Sequence, residues 1–209
     1  MKPSLYNILF LIFTIITQSI FLTTITSAAQ VIVKDATGKK VLDNVRYGLG
    51  PVKSGGHIKL TDTDNKKKIC PFNVVQDPND NIGGEFMFTM IGKEKYLKTS
   101  RVLGIDSGYP KSGCTKSTFW TINDAEAKAP DNLITTGGGF ETDLTCFQVV
   151  EYPKPTNPKV HSYMIQHCPS FCGAGPQTCF NVSIYEHNGV KRLSSVGATP
   201  FEFVFYKLS

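Results

Sequence analysis

Apolar and polar residues alternate along several short stretches of the chain, which is the pattern of half-buried β-strands. Near the C-terminus, Phe201, Phe203 and Phe205 alternate with more polar neighbours, and residues 180–184 alternate in the same way. The same pattern predicts strands at residues 31–34, 45–49, 72–76, 85–91, 101–105, 118–122, 133–136, 147–152 and 163–167. No stretch keeps a helical period, although residues 124–128 could form one helical turn. About a dozen short strands separated by turn residues predict an all-β barrel or sandwich.

The first 29 residues have the composition of a signal peptide. Lys2 gives a positive start, residues 8–16 are mostly apolar, and the segment closes on the small residues Ser27, Ala28 and Ala29. We therefore expect a signal peptide at 1–29 and one mature domain at 30–209. Polar residues interrupt the apolar run, so we expect no membrane anchor. The mature protein is predicted to be secreted, with an extracellular (apoplastic) or vacuolar destination.

Composition excludes several classes of protein. Of 209 residues, 41% are hydrophobic, which is ordinary for a globular protein and unlike a disordered chain or a collagen. The 22 Lys and Arg against 17 Asp and Glu give a net charge of +5, spread along the chain without a basic block. Nucleic-acid binding usually needs a clustered basic stripe or a known module, so we expect no nucleic-acid partner.

Six cysteines lie in the predicted mature domain, where oxidising conditions favour disulfides. Six cysteines allow 15 pairings, and the residues alone do not select one. The alternative of a zinc site formed by Cys168, Cys172, Cys179 and His187 is disfavoured, because their spacing does not match a paired-ligand motif. The six cysteines are Cys70, Cys114, Cys146, Cys168, Cys172 and Cys179.

Motifs of catalysis are absent from the sequence. It contains no G-x-S-x-G elbow, no H-E-x-x-H pair and no phosphate-binding glycine loop. The four histidines are scattered, and no acidic residue lies at a spacing from them that would indicate a catalytic pair. We therefore expect a protein that is not an enzyme and that has no cofactor and no metal.

Asn181-Val182-Ser183 is an acceptor sequence for N-glycosylation. The alternation of the predicted strand puts Asn181 opposite the face formed by Phe180, Val182 and Ile184. We therefore expect Asn181 to be exposed and to be a candidate glycosylation site.

Six motifs follow one another along the chain: an opening Val33-to-Leu42 segment, a Gly55-Gly56 turn, a Cys-Pro strand from Cys70 to Gln76, a strand carrying Trp120, a Tyr163-to-Pro169 strand and an aromatic final strand from Pro200 to Tyr206. Their order resembles the plant Kunitz-type (soybean trypsin inhibitor-like) family. The segment Cys168-Pro169-Ser170-Phe171-Cys172-Gly173 is similar to the miraculin-like branch.

The resemblance implies a β-trefoil, with six strands closing a barrel and six forming a hairpin cap. It also implies two disulfides, Cys70–Cys114 and Cys168–Cys179. Cys146 and Cys172 then remain. They either form a third bridge within the chain, or one of them links two chains into a covalent dimer; without such a link we expect a monomer.

For function, the resemblance implies an inhibitor of a trypsin-type serine protease that acts through a protruding, substrate-like loop. This reactive loop falls within residues 90–96, with Lys93 followed by Glu94 as the first choice for the inhibitory bond and Lys95 as the second. The family braces this loop with an Asn, a position taken here by Asp43 with Asn44 beside it. A carboxylate accepts hydrogen bonds but cannot donate them, so Asp43 is expected to supply half of the bracing.

Two other functions stay open from the sequence. Gly92 adds flexibility beside the proposed bond, and with Asp43 it suggests a binding module for a sugar, a pigment or a receptor that no longer inhibits. The other is a storage or defence protein that inhibits a different class of protease, namely a cysteine protease.

Overall fold

A computed structural model describes residues 29–53, 56–61, 72–108, 117–123, 132–140, 142–173, 178–187 and 189–208. Apart from Ala29, the predicted signal peptide lies outside the described residues. So do the predicted turn at 124–128, Cys70 and Cys114. Within the described ranges, no helix is long and apolar enough to cross a membrane.

The regular secondary structure of the described residues is almost entirely β-strand. Thirteen strands follow one another: β1 Arg46–Gly50, β2 His57–Thr61, β3 Asn73–Asp77, β4 Phe86–Met90, β5 Val102–Asp106, β6 Phe119–Asn123, β7 Leu133–Gly138, β8 Phe147–Glu151, β9 Tyr163–His167, β10 Phe180–Asn181, β11 Ser183–His187, β12 Val190–Ser194 and β13 Val204–Lys207. Two short 3₁₀ helices, Asp143–Thr145 and Pro169–Cys172, lie beside β8 and β9.

Six strands close into a barrel. β1 pairs with β4, β4 with β5, β5 with β8 and β8 with β9, always antiparallel. An antiparallel bridge between Tyr163 and Phe203 joins β9 to the approach to β13. Finally, β13 pairs with β1, from Tyr47 opposite Lys207 to Gly50 opposite Val204. The ring therefore has no free edge among these strands.

Three hairpins cover one end of this barrel. They are β2–β3, β6–β7 and β11–β12, and each contacts the other two. Asn73 of β3 pairs with Thr135 of β7, Leu133 of β7 pairs with Ser194 of β12, and β12 pairs with β3. A six-stranded ring closed by three hairpins is the β-trefoil, which confirms the predicted fold.

Large aromatic side chains fill the barrel. Trp120 is fully buried and packs edge-on against Phe86, with ring centroids 5.1 Å apart, and against Phe147 at 6.4 Å. Phe88 and Phe205 meet in the same geometry at 4.9 Å. Burial of each such side chain contributes about 1.5–3 kcal/mol, so this core is the main source of stability.

The alternation pattern was wrong at four places. Residues 31–34 form isolated bridges and no strand, because this segment pairs only at single residues, with the loop that follows β4 and with Lys40. Strands β2 and β12 were not predicted, because their buried residues are consecutive and do not alternate. The predicted strand at 180–184 is divided at Val182, whose N–H donates to the carbonyl of Ile165 and whose carbonyl accepts from Phe201.

All four cysteines of the described ranges are paired within the chain. Cys168 is bonded to Cys179, with Cα atoms 4.3 Å apart, and Cys146 is bonded to Cys172, with Cα atoms 5.9 Å apart. These bonds use the three cysteines of the zinc alternative. No group of three or more potential metal ligands occurs in the part of the chain that the structure describes.

Candidate functional site: the loop after β4

Two long connections leave the barrel at the end opposite the hairpins. Neighbouring strands of the ring are antiparallel, and the three hairpins follow β1, β5 and β9. The β4–β5 connection (residues 91–101) and the β8–β9 connection (residues 152–162) must therefore both lie at the other end, here called the open end. The segment that leads into β1 lies there as well.

The β4–β5 connection protrudes between two fixed points. At its start, the N–H of Ile91 donates to the carbonyl of Val102 across 3.3 Å. At its end, Leu97 is fully buried, and its N–H donates to the carbonyl of Val41 at 2.9 Å. Between these points, Ile91, Gly92, Lys93 and Lys95 are exposed. Residues 91–95 thus form an exposed arch on a rigid base.

Asp43 holds both sides of this arch. Its Oδ1 accepts a hydrogen bond from the N–H of Met90 at 3.0 Å, just before the arch. Its own backbone N–H donates to the carbonyl of Lys95, the last residue of the arch, at 3.2 Å. The side chain accepts, as the sequence predicts, but the backbone of the same residue supplies a donor that sequence reasoning missed.

Asn44 supports Asp43 from the next position. Its Nδ2 donates to Oδ2 of Asp43 at 2.9 Å, and its Oδ1 accepts from the hydroxyl of Thr89 at 2.8 Å. Asn44 has φ of 57°, a left-handed conformation that Asn tolerates better than most residues. It therefore fixes the orientation of the Asp43 carboxylate and also binds β4.

Glu94 turns back towards the base of the arch. Its carboxylate forms an ion pair with Lys98 at 2.7 Å, and a guanidinium nitrogen of Arg101 lies 3.9 Å away. The hydrogen bond from Lys98 lowers the pKa of Glu94 below its usual value. Arg101 also donates to the carbonyl of Ile91 at 3.4 Å. Glu94 therefore belongs to the anchoring of the arch.

The two candidate lysines differ in their surroundings. The Lys95 ammonium lies 5.3 Å from the centroid of the Tyr96 ring, and the Lys40 ammonium lies 4.9 Å from the same ring. Lys93 is exposed and makes no ion pair, side-chain hydrogen bond or ring contact with any described residue. Before it, Gly92 has φ of 107°, which strongly favours glycine. Lys93 is thus the free cation at the top of the arch.

The acceptor sequence for glycosylation lies elsewhere, on β10. Asn181 is half-buried, and its Oδ1 accepts from Nε2 of Gln166 at 2.9 Å. Phe180 is 37% exposed, whereas Val182 and Ser183 are both buried. Asn181 was predicted to be exposed and is half-buried instead, because the strand breaks at Val182 and its side chains do not alternate there.

A second brace at the open end was not predicted. Glu202 accepts hydrogen bonds from the N–H of Thr156 at 2.9 Å and from the hydroxyls of Thr156 and Ser162. It fixes the β8–β9 connection as Asp43 fixes the β4–β5 connection. No spacing in the sequence reveals this contact, since it depends on closure of the barrel.

Comparison with known proteins agrees with this architecture. A family model of legume Kunitz proteins, described as "Trypsin and protease inhibitor", matches residues 33–207. The latex serine proteinase inhibitor of Carica papaya is 31% identical over 188 residues, which cover 83% of this chain and 95% of that protein. Aspartic protease inhibitor 5 of Solanum tuberosum is 25% identical over 183 residues, which cover 84% of this chain and 82% of that protein.

Among solved structures, the chain is similar to one chain in the structure of the complex of porcine pancreatic trypsin with soybean trypsin inhibitor. The TM-score is 0.67 at 19% identity, covering 86% of this chain and 100% of the matched one, which shows the shared fold. The family match extends over nearly the whole described chain. The chain belongs to the legume Kunitz family of trypsin and protease inhibitors.

Proposed function

We propose that this protein inhibits a trypsin-type serine protease, with Lys93 as the primary specificity residue and Lys93–Glu94 as the inhibitory bond. One observation carries the proposal: Lys93 is a free, exposed cation on an arch whose two sides are bonded to Asp43. A lysine pairs with the carboxylate at the base of a trypsin-like pocket.

Rigidity explains why such an arch would inhibit and not simply be digested. Because residues 91–95 are held before binding, little conformational entropy is lost when the protease docks. After cleavage of the Lys93–Glu94 bond, Lys98 and Arg101 would still hold the Glu94 side chain near its place. The new amine then stays close to the acyl group, and religation competes with release.

The papaya relative supports the serine class, and the potato relative motivates one alternative target. That relative is named an aspartic protease inhibitor. An aspartic protease has no carboxylate-based pocket for a lysine, so inhibition of that class would not depend on Lys93.

The test is titration of trypsin with the purified mature protein, together with Lys93→Ala, Lys95→Ala and Lys93→Arg. We expect the native protein and Lys93→Arg to inhibit at nearly equal concentrations, Lys95→Ala to inhibit slightly less well, and Lys93→Ala to lose most inhibition. If Lys93→Ala still inhibits and Lys95→Ala does not, the inhibitory bond follows Lys95 and not Lys93. Inhibition of pepsin and not of trypsin would favour the aspartic alternative.

Secretion is part of the same proposal. The composition of residues 1–29 supports export to the extracellular space or the vacuole. Amino-terminal sequencing of protein secreted from plant cells, with Gln30 expected first, tests the cleavage site. A mass difference removed by an N-glycosidase, and absent from Asn181→Gln, tests glycosylation.

A further inference from the structure

Six exposed lysines lie on the loops of the open end, and two of them belong to the arch itself. They come from three separate segments: the segment leading into β1, the β4–β5 connection and the β8–β9 connection. None of them forms an ion pair with any residue that the structure describes. We call this set the basic face; it consists of Lys39, Lys40, Lys93, Lys95, Lys154 and Lys159.

Most carboxylates at the same end are used internally. Asp35 is 2% exposed, and its Oδ1 accepts from the N–H of Thr37 at 2.9 Å and of Lys39 at 3.0 Å. Asp43, Glu94 and Glu202 are occupied by the contacts described above. Glu151 is the exposed exception. The carboxylates thus hold the loops together. The positive charge of the exposed ammonium groups is balanced by few carboxylates at this end.

The β8–β9 connection carries its two lysines on a stiff support. Glu202 holds it through Thr156 and Ser162. Pro153, Pro155 and Pro158 restrict its backbone. The N–H of Lys159 donates to Oδ1 of Asn157 at 3.1 Å, which fixes the turn near its tip. Lys154 and Lys159 are therefore presented in a defined place.

This connection does not resemble a second inhibitory loop. The bond after Lys154 leads into Pro155, which has no N–H to donate to a protease. Lys159 lies inside a turn closed by the N–H of Val160 and the carbonyl of Asn157 at 3.1 Å, so its backbone is not extended. Its lysines suit contact with a surface and not entry into a catalytic pocket.

We propose that the basic face selects proteases whose active-site rim is acidic, with Lys154 and Lys159 as specificity-determining contacts outside the arch. This inference rests on the proposed inhibitory function and names the surface chemistry of its target. Opposite charges on two docking surfaces raise the association rate about 10- to 1,000-fold at low ionic strength, and salt removes this gain.

The experiment compares association rates with an anionic and a cationic trypsin, which share catalytic chemistry but differ in surface charge. Rates are measured by stopped-flow at low and high salt for the native protein, Lys154→Glu and Lys159→Glu. Lys53→Glu is the matched control, because it changes the net charge equally but replaces an exposed lysine that follows β1 at the hairpin end of the barrel. We expect the native protein to associate about tenfold faster with the anionic trypsin at low salt. Lys154→Glu and Lys159→Glu should each reduce that ratio about threefold, and Lys53→Glu should leave it nearly unchanged.

The ratio of the association rates with the two trypsins could be the same for the native protein and all three variants, with inhibition intact. That result would overturn the proposed role of the basic face and leave the inhibitory function in place. If neither trypsin is inhibited, both proposals are wrong. The same variants are also passed over dextran sulfate beads. If Lys154→Glu is no longer retained on the beads but associates with both trypsins at the native rates, the lysine belongs to a polyanion site and not to a protease contact. That result would also overturn the inference.

Discussion

Oδ1 of Asp43 accepts a hydrogen bond from the backbone N–H of Met90 at 3.0 Å, although 47 positions separate the two residues along the chain. The bond ties the segment before β1 to the last residue of β4, at the point where the exposed arch begins. The arch therefore takes its shape from a residue that is remote in the sequence and does not itself face the solvent fully.

Asp43→Ala should weaken inhibition of trypsin about tenfold. Hydrogen bonds to a charged group contribute about 1.5–3 kcal/mol, and the backbone bond from Asp43 to Lys95 survives the change. Asp43→Asn is the control, because its amide oxygen can still accept from Met90, so its loss should be a few-fold only. Inhibition constants for the three proteins test this. An unchanged constant for Asp43→Ala would show that the arch does not need the brace.

Removing the Cys146–Cys172 bond should lower the free energy of unfolding by about 3.5 kcal/mol, the loop-entropy value for a separation of 26 residues. The double variant Cys146→Ser/Cys172→Ser is compared with the native protein by urea titration. Unfolding is followed by the fluorescence of Trp120, which is the single tryptophan of the sequence and is fully buried.

On a non-reducing gel the native protein should run as a monomer. A reducible dimer would contradict pairing within the chain.

Glu202 should stabilise the protein at neutral pH and not in acid. Burial raises the pKa of Glu202, but hydrogen bonds from Ser162 and Thr156 together lower it more, so the pKa lies below its usual 4.5. Its ionised form thus stabilises the fold above about pH 4.5, and this contribution is lost as the pH falls through the lowered pKa. The melting temperature of Glu202→Gln should be lower than that of the native protein at about pH 7, and the difference should shrink as the pH falls below 4.5. A difference that persists in acid would contradict this account.

His167 should destabilise the protein when it becomes protonated. Burial lowers the pKa of His167 below 6.5, although a hydrogen bond with the carbonyl of Asp143 opposes this shift. Because the unfolded chain binds the proton more readily, stability should fall as the pH drops through 6.5 towards the lowered pKa. The ring signals of His167 in NMR spectra should titrate below pH 6.5. Replacement by Gln, which keeps a hydrogen-bond donor, should flatten the pH dependence of stability in this range.

Alternation predicted the strands whose two faces meet different surroundings. Strand β9 has the predicted bounds, since Tyr163, Ile165 and His167 are buried and the residues between them are half-buried. The pattern fails in cap strands such as β12, whose last three residues are all buried. Which strands alternate depends on where the trefoil places them, and a single strand does not contain that information.

The candidate site was predictable in its location but not in its contacts. The resemblance gave the segment around Lys93 and the position of Asp43. The inward turn of Glu94, which leaves Lys93 as the free cation, depends on Lys98 and Arg101 lying on its own side of the arch. The Glu202 brace joins segments 40 and 46 positions apart and needs the folded barrel.

Closure of the barrel has a consequence for how the protein is made. The ring is complete only when Tyr47 in the first strand pairs with Lys207 in the last, so nearly the whole chain must leave the ribosome first. Pairings between such distant segments form slowly, on a time scale of about milliseconds to seconds. During synthesis, the edge of β1 that pairs with β13 therefore stays unpaired until the last strand emerges, and a nascent chain that stalls before that point would expose this edge to chaperones.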